Sequence, residues 1–203
     1  MGQYFEKEPQ SASNVFSFTY FFQQKKYTFT SDNGVFSKKQ VDYGTHVLLK
    51  SIITIPFSTA LDMGCGIGII GICLGRENPN AQIEMADINR RSLQLAEDNV
   101  HKNEVKNCTV IESNLYQNLT SQYDLIVSNP PIRAGKKTVH QIVEEAIFHL
   151  KENGSIAVVI QKKQGAMSLY KKMEEIFGNI EVLSKDKGYY VLVSVLQKKD
   201  KEI

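Results

Sequence analysis

Short apolar runs alternate with amphipathic stretches from residue 58 to residue 177. The runs at 58–63, 81–87, 107–112, 122–128 and 154–161 have the length of buried strands. Between them, 67–76, 89–103, 138–150 and 166–177 carry apolar residues at helical spacing. Strand–helix alternation of this kind predicts a parallel sheet covered by helices on both faces, an α/β fold that is Rossmann-like and doubly wound. Two segments depart from it. Residues 180–184 and 189–197, joined by Lys185-Asp186-Lys187-Gly188, read as an antiparallel strand pair. Near the start, 15–21 and 26–30 alternate apolar and polar residues around Gln23-Gln24-Lys25, which predicts a β-hairpin. Residues 34–45 read as a loop, followed by a helix from Thr45 to about Ser51. The expected organisation is an N-terminal extension with a hairpin, 1–35, and one larger domain, 36–203.

Composition narrows the class. A chain of 203 residues suits one domain with a sizeable core. The net charge is +2, so any contact with nucleic acid must use a local patch. No charged-then-apolar leader and no apolar run of spanning length is visible, which predicts a cytoplasmic protein with no membrane partner. Cys65, Cys73 and Cys108 form no Cys-x-x-Cys pair, as expected of thiols in a reducing compartment. His46, His101, His140 and His149 lack metal-ligand spacing, and no metal is expected.

The candidate chemistry lies at strand ends. Ser128-Asn129-Pro130-Pro131-Ile132 follows the apolar run that begins at Tyr123. Prolines remove backbone donors and stiffen the loop, leaving carbonyls free to accept. Asn129 adds a side-chain carbonyl beside them. Two rigid acceptors side by side suit the two hydrogens of a planar –NH2 group that must become a nucleophile. Asn129, Pro130 and Pro131 are therefore the candidate catalytic residues. A turn cap by Asn129 is the plainer alternative.

Upstream, Asp62-Met63-Gly64-Cys65-Gly66-Ile67-Gly68 joins a strand to an apolar helix. Glycines let backbone approach a ligand, and a helix N-terminus favours partial negative charge. The spacing is not the Gly-x-Gly-x-x-Gly of dinucleotide enzymes, and Asp62 would repel a pyrophosphate. A ligand with a cationic amino group would be welcome instead. Asp87 ends the next strand, about 20 residues on, where such folds place a carboxylate for ribose hydroxyls. Capping of the following helix is its other role. Asp62, Gly64, Cys65, Gly66, Gly68, Asp87 and Ile88 thus describe a nucleoside ligand with an amino-acid tail, and S-adenosylmethionine fits.

These motifs, with Gly34-Val35-Phe36-Ser37, Asp42-Tyr43-Gly44-Thr45, Ala86-Asp87 and Ser113-Asn114-Leu115, resemble the methyltransferase small domain family of class I S-adenosylmethionine-dependent methyltransferases. Within it the chain is most similar to bacterial small-subunit ribosomal RNA guanine-N2 methyltransferases, over about residues 28 to 197. The resemblance implies methyl transfer to an exocyclic base amine, with ribosomal RNA or the small ribosomal subunit as partner. It implies an antiparallel strand at the C-terminal sheet edge. It places Gly44 and Thr45 near the methionine moiety, with a helix cap at Thr45 as the alternative. It places Asn114 near the adenine, with an Asx turn as the alternative, and puts Asn129 in reach of both cofactor and amine.

Two departures bear on the substrate. Members with Asn-Pro-Pro often continue with an aromatic residue that stacks on the target base, where this chain has Ile132; either another aromatic such as Phe36 or Tyr43 supplies the stacking, or binding rests on other contacts. Larger members carry a second, degenerate copy of the domain, for which the hairpin or a homodimer could substitute; a monomer is equally open. Arg133, Lys136, Lys137 and His140 follow the catalytic loop, Lys162 and Lys163 follow the fifth strand, and Lys185 and Lys187 sit in the tail. In this fold those segments open at one rim, where cations could hold RNA phosphates. The competing enzyme reading is glutamine N5 methylation of a release factor, since a carboxamide is planar too. The non-catalytic reading is an S-adenosylmethionine-binding assembly factor.

Overall fold

The structure is a computed structural model that describes residues 13–33, 35, 40–130 and 135–198. Phe36, Pro131, Ile132 and Arg133 lie outside the described residues. β1 (Phe16–Phe22) and β2 (Lys25–Ser31) pair antiparallel as the expected hairpin. The turn is only Gln23-Gln24, both at positive φ (46° and 61°), the backbone of a two-residue hairpin turn that matches strand twist. Lys25 is thereby released into β2.

The chain then runs through α1 (Tyr43–Ile52), β3 (Thr59–Met63), α2 (Ile69–Glu77), β4 (Gln82–Asp87), α3 (Arg90–Lys102), β5 (Cys108–Glu112) and β6 (Tyr123–Ser128). It continues with α4 (Gly135–His149), β7 (Leu150–Gln161), α5 (Ala166–Phe177), β8 (Glu181–Asp186) and β9 (Tyr189–Val195). Seven strands form one sheet in the order β5-β4-β3-β6-β7-β9-β8. β3 to β7 are mutually parallel, and β9 runs antiparallel to both neighbours. The tail supplies the expected antiparallel pair at the sheet edge; β8 is outermost and β9 fits between it and β7.

The two sheet faces bury separate cores. Ala60, Leu125, Val127, Ala157 and Val159 face α1, α2, α3 and the hairpin. Leu61, Ile126, Ile156, Val158 and Leu192 face α4 and α5. Sheet strands buried on both faces read as continuous apolar runs, which is why their positions were legible. Three elements begin two or more residues earlier than the sequence reading places them. α1 begins at Tyr43 with Asp42 as its cap, whose Oδ2 accepts from Gly44 N (2.9 Å) and Thr45 N (3.3 Å). Thr45 is therefore not the cap. α4 begins at Gly135 rather than 138. β7 begins at Leu150, paired with Tyr123; the chain then bulges and rejoins at Ser155 opposite Leu125. Asn153 at positive φ (63°) makes that bulge, and a polar stretch of this kind hides a strand start.

The hairpin is held by side chains that imitate a strand. Asn99 on α3 and Asn103, which caps its C-terminus one turn later, each pair their carboxamide with a β2 backbone amide. Asn103 Oδ1 accepts from Thr28 N (3.0 Å) while Nδ2 donates to Thr28 O (2.9 Å). Asn99 repeats the pattern at Thr30 (2.7 and 3.0 Å) and also donates to Ile67 O (3.0 Å) in the glycine loop. One buried amide thus ties the hairpin to the loop after β3. Asn99→Ala is expected to lower unfolding free energy by about 2 kcal/mol, since it strands buried backbone groups. Urea denaturation at constant m-value measures this.

Candidate functional site

Those strand-end residues singled out in the sequence that are described open at the carboxyl edge of the sheet, where ligands bind in such folds. β3 delivers Asp62 and the glycine loop. Gly64, Gly66 and Gly68 all have positive φ (73°, 55° and 84°), so the turn alone requires glycine at each. Space separates their roles. A Cβ at Gly64 or Gly66 would meet nothing within 4 Å, whereas one at Gly68 would press on Ile72 and Ala96. The first two therefore leave an open backbone shelf, and the third packs the helix.

Asp62 is buried beneath this shelf. Its Oδ2 accepts from Gly71 N (2.9 Å) in the first turn of α2, and Oδ1 is buried with no partner. An unpaired buried acceptor costs about 1–3 kcal/mol. Burial pushes the Asp62 carboxyl up to about 7, against the pull of the Gly71 amide and with a further push from Asp87. Asp87 Oδ2 accepts from Gly66 N (2.9 Å) and Oδ1 from Asn89 N (2.9 Å). Burial raises its carboxyl also, opposed by those amides. Asn89 itself caps α3 by accepting from Ser92 N (3.1 Å), so Asp87 is not that cap. Asp87 instead fixes the glycine loop and keeps spare lone pairs. Cys65 is buried, with its amide bonded to Ala86 O (3.0 Å), and Ile88 is half-buried. Asn114 lies exposed beyond β5, and its carbonyl closes a turn to Gln117 N (3.3 Å).

These two carboxylates make the ligand-free protein pH-sensitive. A carboxyl raised on folding binds a proton that the unfolded chain releases, so stability falls as pH rises between the two pKa values. The folded protein is expected to lose stability from about pH 4 to pH 7, where the unfolded chain releases the Asp62 proton that the fold retains. In Asp62→Asn the slope should shrink to the part due to Asp87. Thermal melts across this range check the sign.

β6 delivers Asn129. Its Nδ2 donates to Thr45 Oγ1 (2.9 Å) and to Asp42 Oδ2 (3.1 Å). With both amide hydrogens engaged, Oδ1 is the atom left to accept, and no described residue donates to it. Asn129 is thus more than a turn cap. Gly44 belongs to the same cluster, since a Cβ there would lie 2.7 Å from the Tyr189 ring and 2.9 Å from Asp42 Oδ2. The Thr45 hydroxyl accepts from Asn129, while its amide donates to Asp42. Asp42 was missed as a site residue; its signal was a helix cap two residues before Gly44, but its partner lies 87 residues downstream.

Beside Asn129, on the side away from the glycine loop, is a cavity of about 130 Å³. Pro130, Val139, Ile160 and Leu169 give it apolar walls; Lys136, Gln161 and Tyr189 add polar groups. Gln161 Oε1 is buried without a hydrogen-bond partner. Lys136 and Lys137 are exposed at the start of α4. His140, in the same cavity, is held below the ordinary histidine range by burial and by Lys136, so it is neutral at pH 7 and adds no charge to the basic set. The lysine segments do share this rim. Lys162 N donates to Gly188 O (2.8 Å), joining the turn after β7 to the tail turn, and Lys187 Nζ lies 4.6 Å from the Tyr43 ring centre. Among the described residues no cluster of histidine, cysteine and acidic side chains could hold a metal, and no helix is long and apolar enough to cross a membrane.

Residues 26–193 match the model of the methyltransferase small domain. An uncharacterized protein of Bacillus subtilis, YbxB, is 42% identical over 192 residues, covering 93% of this chain and 96% of that one. Ribosomal RNA small subunit methyltransferase C of Actinobacillus succinogenes is 33% identical over 162 residues, covering 78% of this chain and 47% of that protein. Among solved structures, the Thermus thermophilus 16S rRNA N2 G1207 methyltransferase, in complex with AdoMet and guanosine, superimposes with a TM-score of 0.81 at 24% identity. It covers 94% of this chain and 52% of that one, so this chain spans about half the length of the ribosomal RNA enzymes it matches.

Proposed function

The chain belongs to the methyltransferase small domain family and is an S-adenosylmethionine-dependent methyltransferase, and we propose that its acceptor is the exocyclic amino group of a base in RNA, foremost guanine N2 of small-subunit ribosomal RNA. The observation that carries this reading is the anchored Asn129 amide, with both hydrogens held by Asp42 and Thr45 and its oxygen accepting from none of the described residues. Similarity to ribosomal RNA methyltransferases supports the choice of RNA, and that of guanine N2 follows the N2 G1207 activity of the Thermus thermophilus protein.

The site's residues fit the cofactor. The Gly64–Gly66 shelf leaves room for a ligand against the backbone, Asp62 Oδ1 offers an unpaired acceptor for a cationic amino group, and Asp87 offers lone pairs for ribose hydroxyls. S-adenosylmethionine, when bound, supplies a methyl carbon already activated by its sulfonium. The chain's own task is to position and activate the amine. Its lone pair is delocalised into the ring, and acceptors on both hydrogens favour a pyramidal nitrogen. Asn129 Oδ1 and the Pro130 carbonyl are the pair assigned here. They also stabilise the positive charge that grows on nitrogen during attack. Asn129 takes up no proton near neutral pH; the proton leaves to water after transfer. Asp42 is a positioning residue. Asp42→Ala is expected to lower kcat about tenfold with little change in cofactor affinity, because the amide loses one of two anchors; Asp42→Asn, which keeps an acceptor, should recover part of the rate.

The direct test offers tritiated S-adenosylmethionine and two acceptors, small ribosomal subunits from a strain lacking this protein and a bacterial release factor. Label in RNA supports the reading. Label in the release factor would replace it with glutamine methylation, and label in neither, from protein that binds the cofactor, would favour a binding role.

A further inference from the structure

We infer that Gln161 reads the Watson–Crick edge of a guanine while Tyr189 stacks on its ring, an inference that rests on the amine-methylation reading above. Both residues line the cavity beside Asn129. They are direct cross-strand partners, Gln161 at the end of β7 and Tyr189 at the start of β9. Side chains directly opposite on neighbouring strands stand together on one face. Insertion of β9 next to β7, rather than at the edge, is what brings them to the rim where β6 delivers Asn129.

Gln161 brings hydrogen-bonding capacity that the protein does not use. Its Oε1 is buried and has no donor, and no described group bonds to its amide nitrogen. Buried polar atoms are nearly always paired, so an orphan acceptor in a cavity wall marks a place where a ligand donor fits. The bases that carry an exocyclic amine differ in what flanks it. Adenine and cytosine place a ring acceptor next to the amine. Guanine places the N1–H donor there, followed by the O6 acceptor. A carboxamide is the complement of that pair, with Oε1 accepting from N1–H and Nε2 donating to O6. The 2-amino group is then left for Asn129.

Tyr189 supplies the aromatic surface that Ile132 lacks. Its ring lies 5.8 Å from that of Tyr43, and no side chain at Gly44 intrudes, since even a Cβ there would sit 2.7 Å from the Tyr189 ring. Tyr43, expected from sequence as a possible stacking residue, supports Tyr189 and is itself held by Asp186 (2.7 Å).

The test uses the full chain and a small-subunit ribosomal RNA in which the nucleotide labelled by the wild type has been mapped. A second RNA carries 2-aminopurine at that position, which keeps the amine but has an acceptor at N1 and no O6. The wild type is expected to prefer guanine by about 10²-fold or more in kcat/KM, because a site built to pair a donor rejects an analogue lacking it. In Gln161→Met that preference should fall at least about tenfold, with an unchanged dissociation constant for S-adenosylmethionine as the check on folding. Gln161→Glu keeps an acceptor for N1–H and loses the donor to O6, so an intermediate preference is expected; it carries the test if Gln161→Met does not fold. Tyr189→Leu should raise KM on both RNAs and leave their ratio alone. An undiminished preference in both Gln161 variants overturns the inference. Wild-type label on adenine or cytosine also overturns it, while leaving the amine reading standing. No label on RNA from protein that binds the cofactor overturns the amine reading and this inference with it.

Discussion

Asn129→Ala should cut methyl transfer by about 10²-fold or more and leave S-adenosylmethionine affinity nearly unchanged. The magnitude is that of losing one preorganised group aimed at charge that develops in the transition state. The oxygen is preorganised because Asp42 and Thr45 hold the other end of the amide, so no reorientation is needed when the amine arrives. The loss should appear in kcat, since the interaction strengthens as nitrogen becomes positive, and less in KM. Asn129→Asp separates geometry from charge. It puts a carboxylate against the Asp42 carboxylate, where the amide donates now, and so should be as damaging as alanine. Single-turnover rates with saturating RNA, beside cofactor titrations of the same preparations, measure both halves. A variant that retains full turnover would remove Asn129 from the chemistry.

Asp87→Ala should weaken S-adenosylmethionine binding by about 10²-fold. Hydrogen bonds to a charged group contribute about 1.5–3 kcal/mol, and two hydroxyls are at stake. A second effect acts in the same direction. The carboxylate also accepts from Gly66 N and Asn89 N, so its removal loosens the shelf on which the cofactor would lie. Asp87→Asn distinguishes the two. It keeps one acceptor while its amide hydrogens clash with one of the backbone donors, so affinity should fall between wild type and alanine. Calorimetric titration gives the constants, and an unmoved dissociation constant in Asp87→Ala would mean that the ribose does not lie at β4.

Much of this architecture was legible because parallel strands buried on both faces announce themselves as apolar runs. Asp62, Asp87 and Asn129 were legible for a related reason, since each stands at the end of such a run. What stayed hidden depends on distant parts of the chain meeting. Asp42 reads as a helix cap until β6 brings Asn129 to it. Gln161 and Tyr189 have no common signal, because their pairing requires β9 to enter between β7 and β8. The glycines were legible with an incomplete reason. Three at alternate positions suggested a ligand, yet each is demanded by its own positive φ, and only the open space over Gly64 and Gly66 points outward. His140 was counted with the cations, but burial beside Lys136 keeps it neutral, an effect of packing that charge counting does not register. The asparagine pair Asn99 and Asn103, at the end of α3 and at its C-cap, was invisible as a hairpin anchor, since both sit among ordinary polar residues in the sequence.

The most direct measurement of the central claim is the chemical identity of the methylated nucleoside. Small ribosomal subunits from a strain lacking this protein would be incubated with the enzyme and labelled S-adenosylmethionine, the RNA digested to nucleosides, and the labelled species identified by mass spectrometry. The expected product is N2-methylguanosine, a methyl group on the amine that Asn129 and Pro130 are proposed to hold. Label on a ribose 2′-oxygen or on a ring carbon would contradict it, because neither acceptor has the two hydrogens that the proposed pair of carbonyl oxygens would hold.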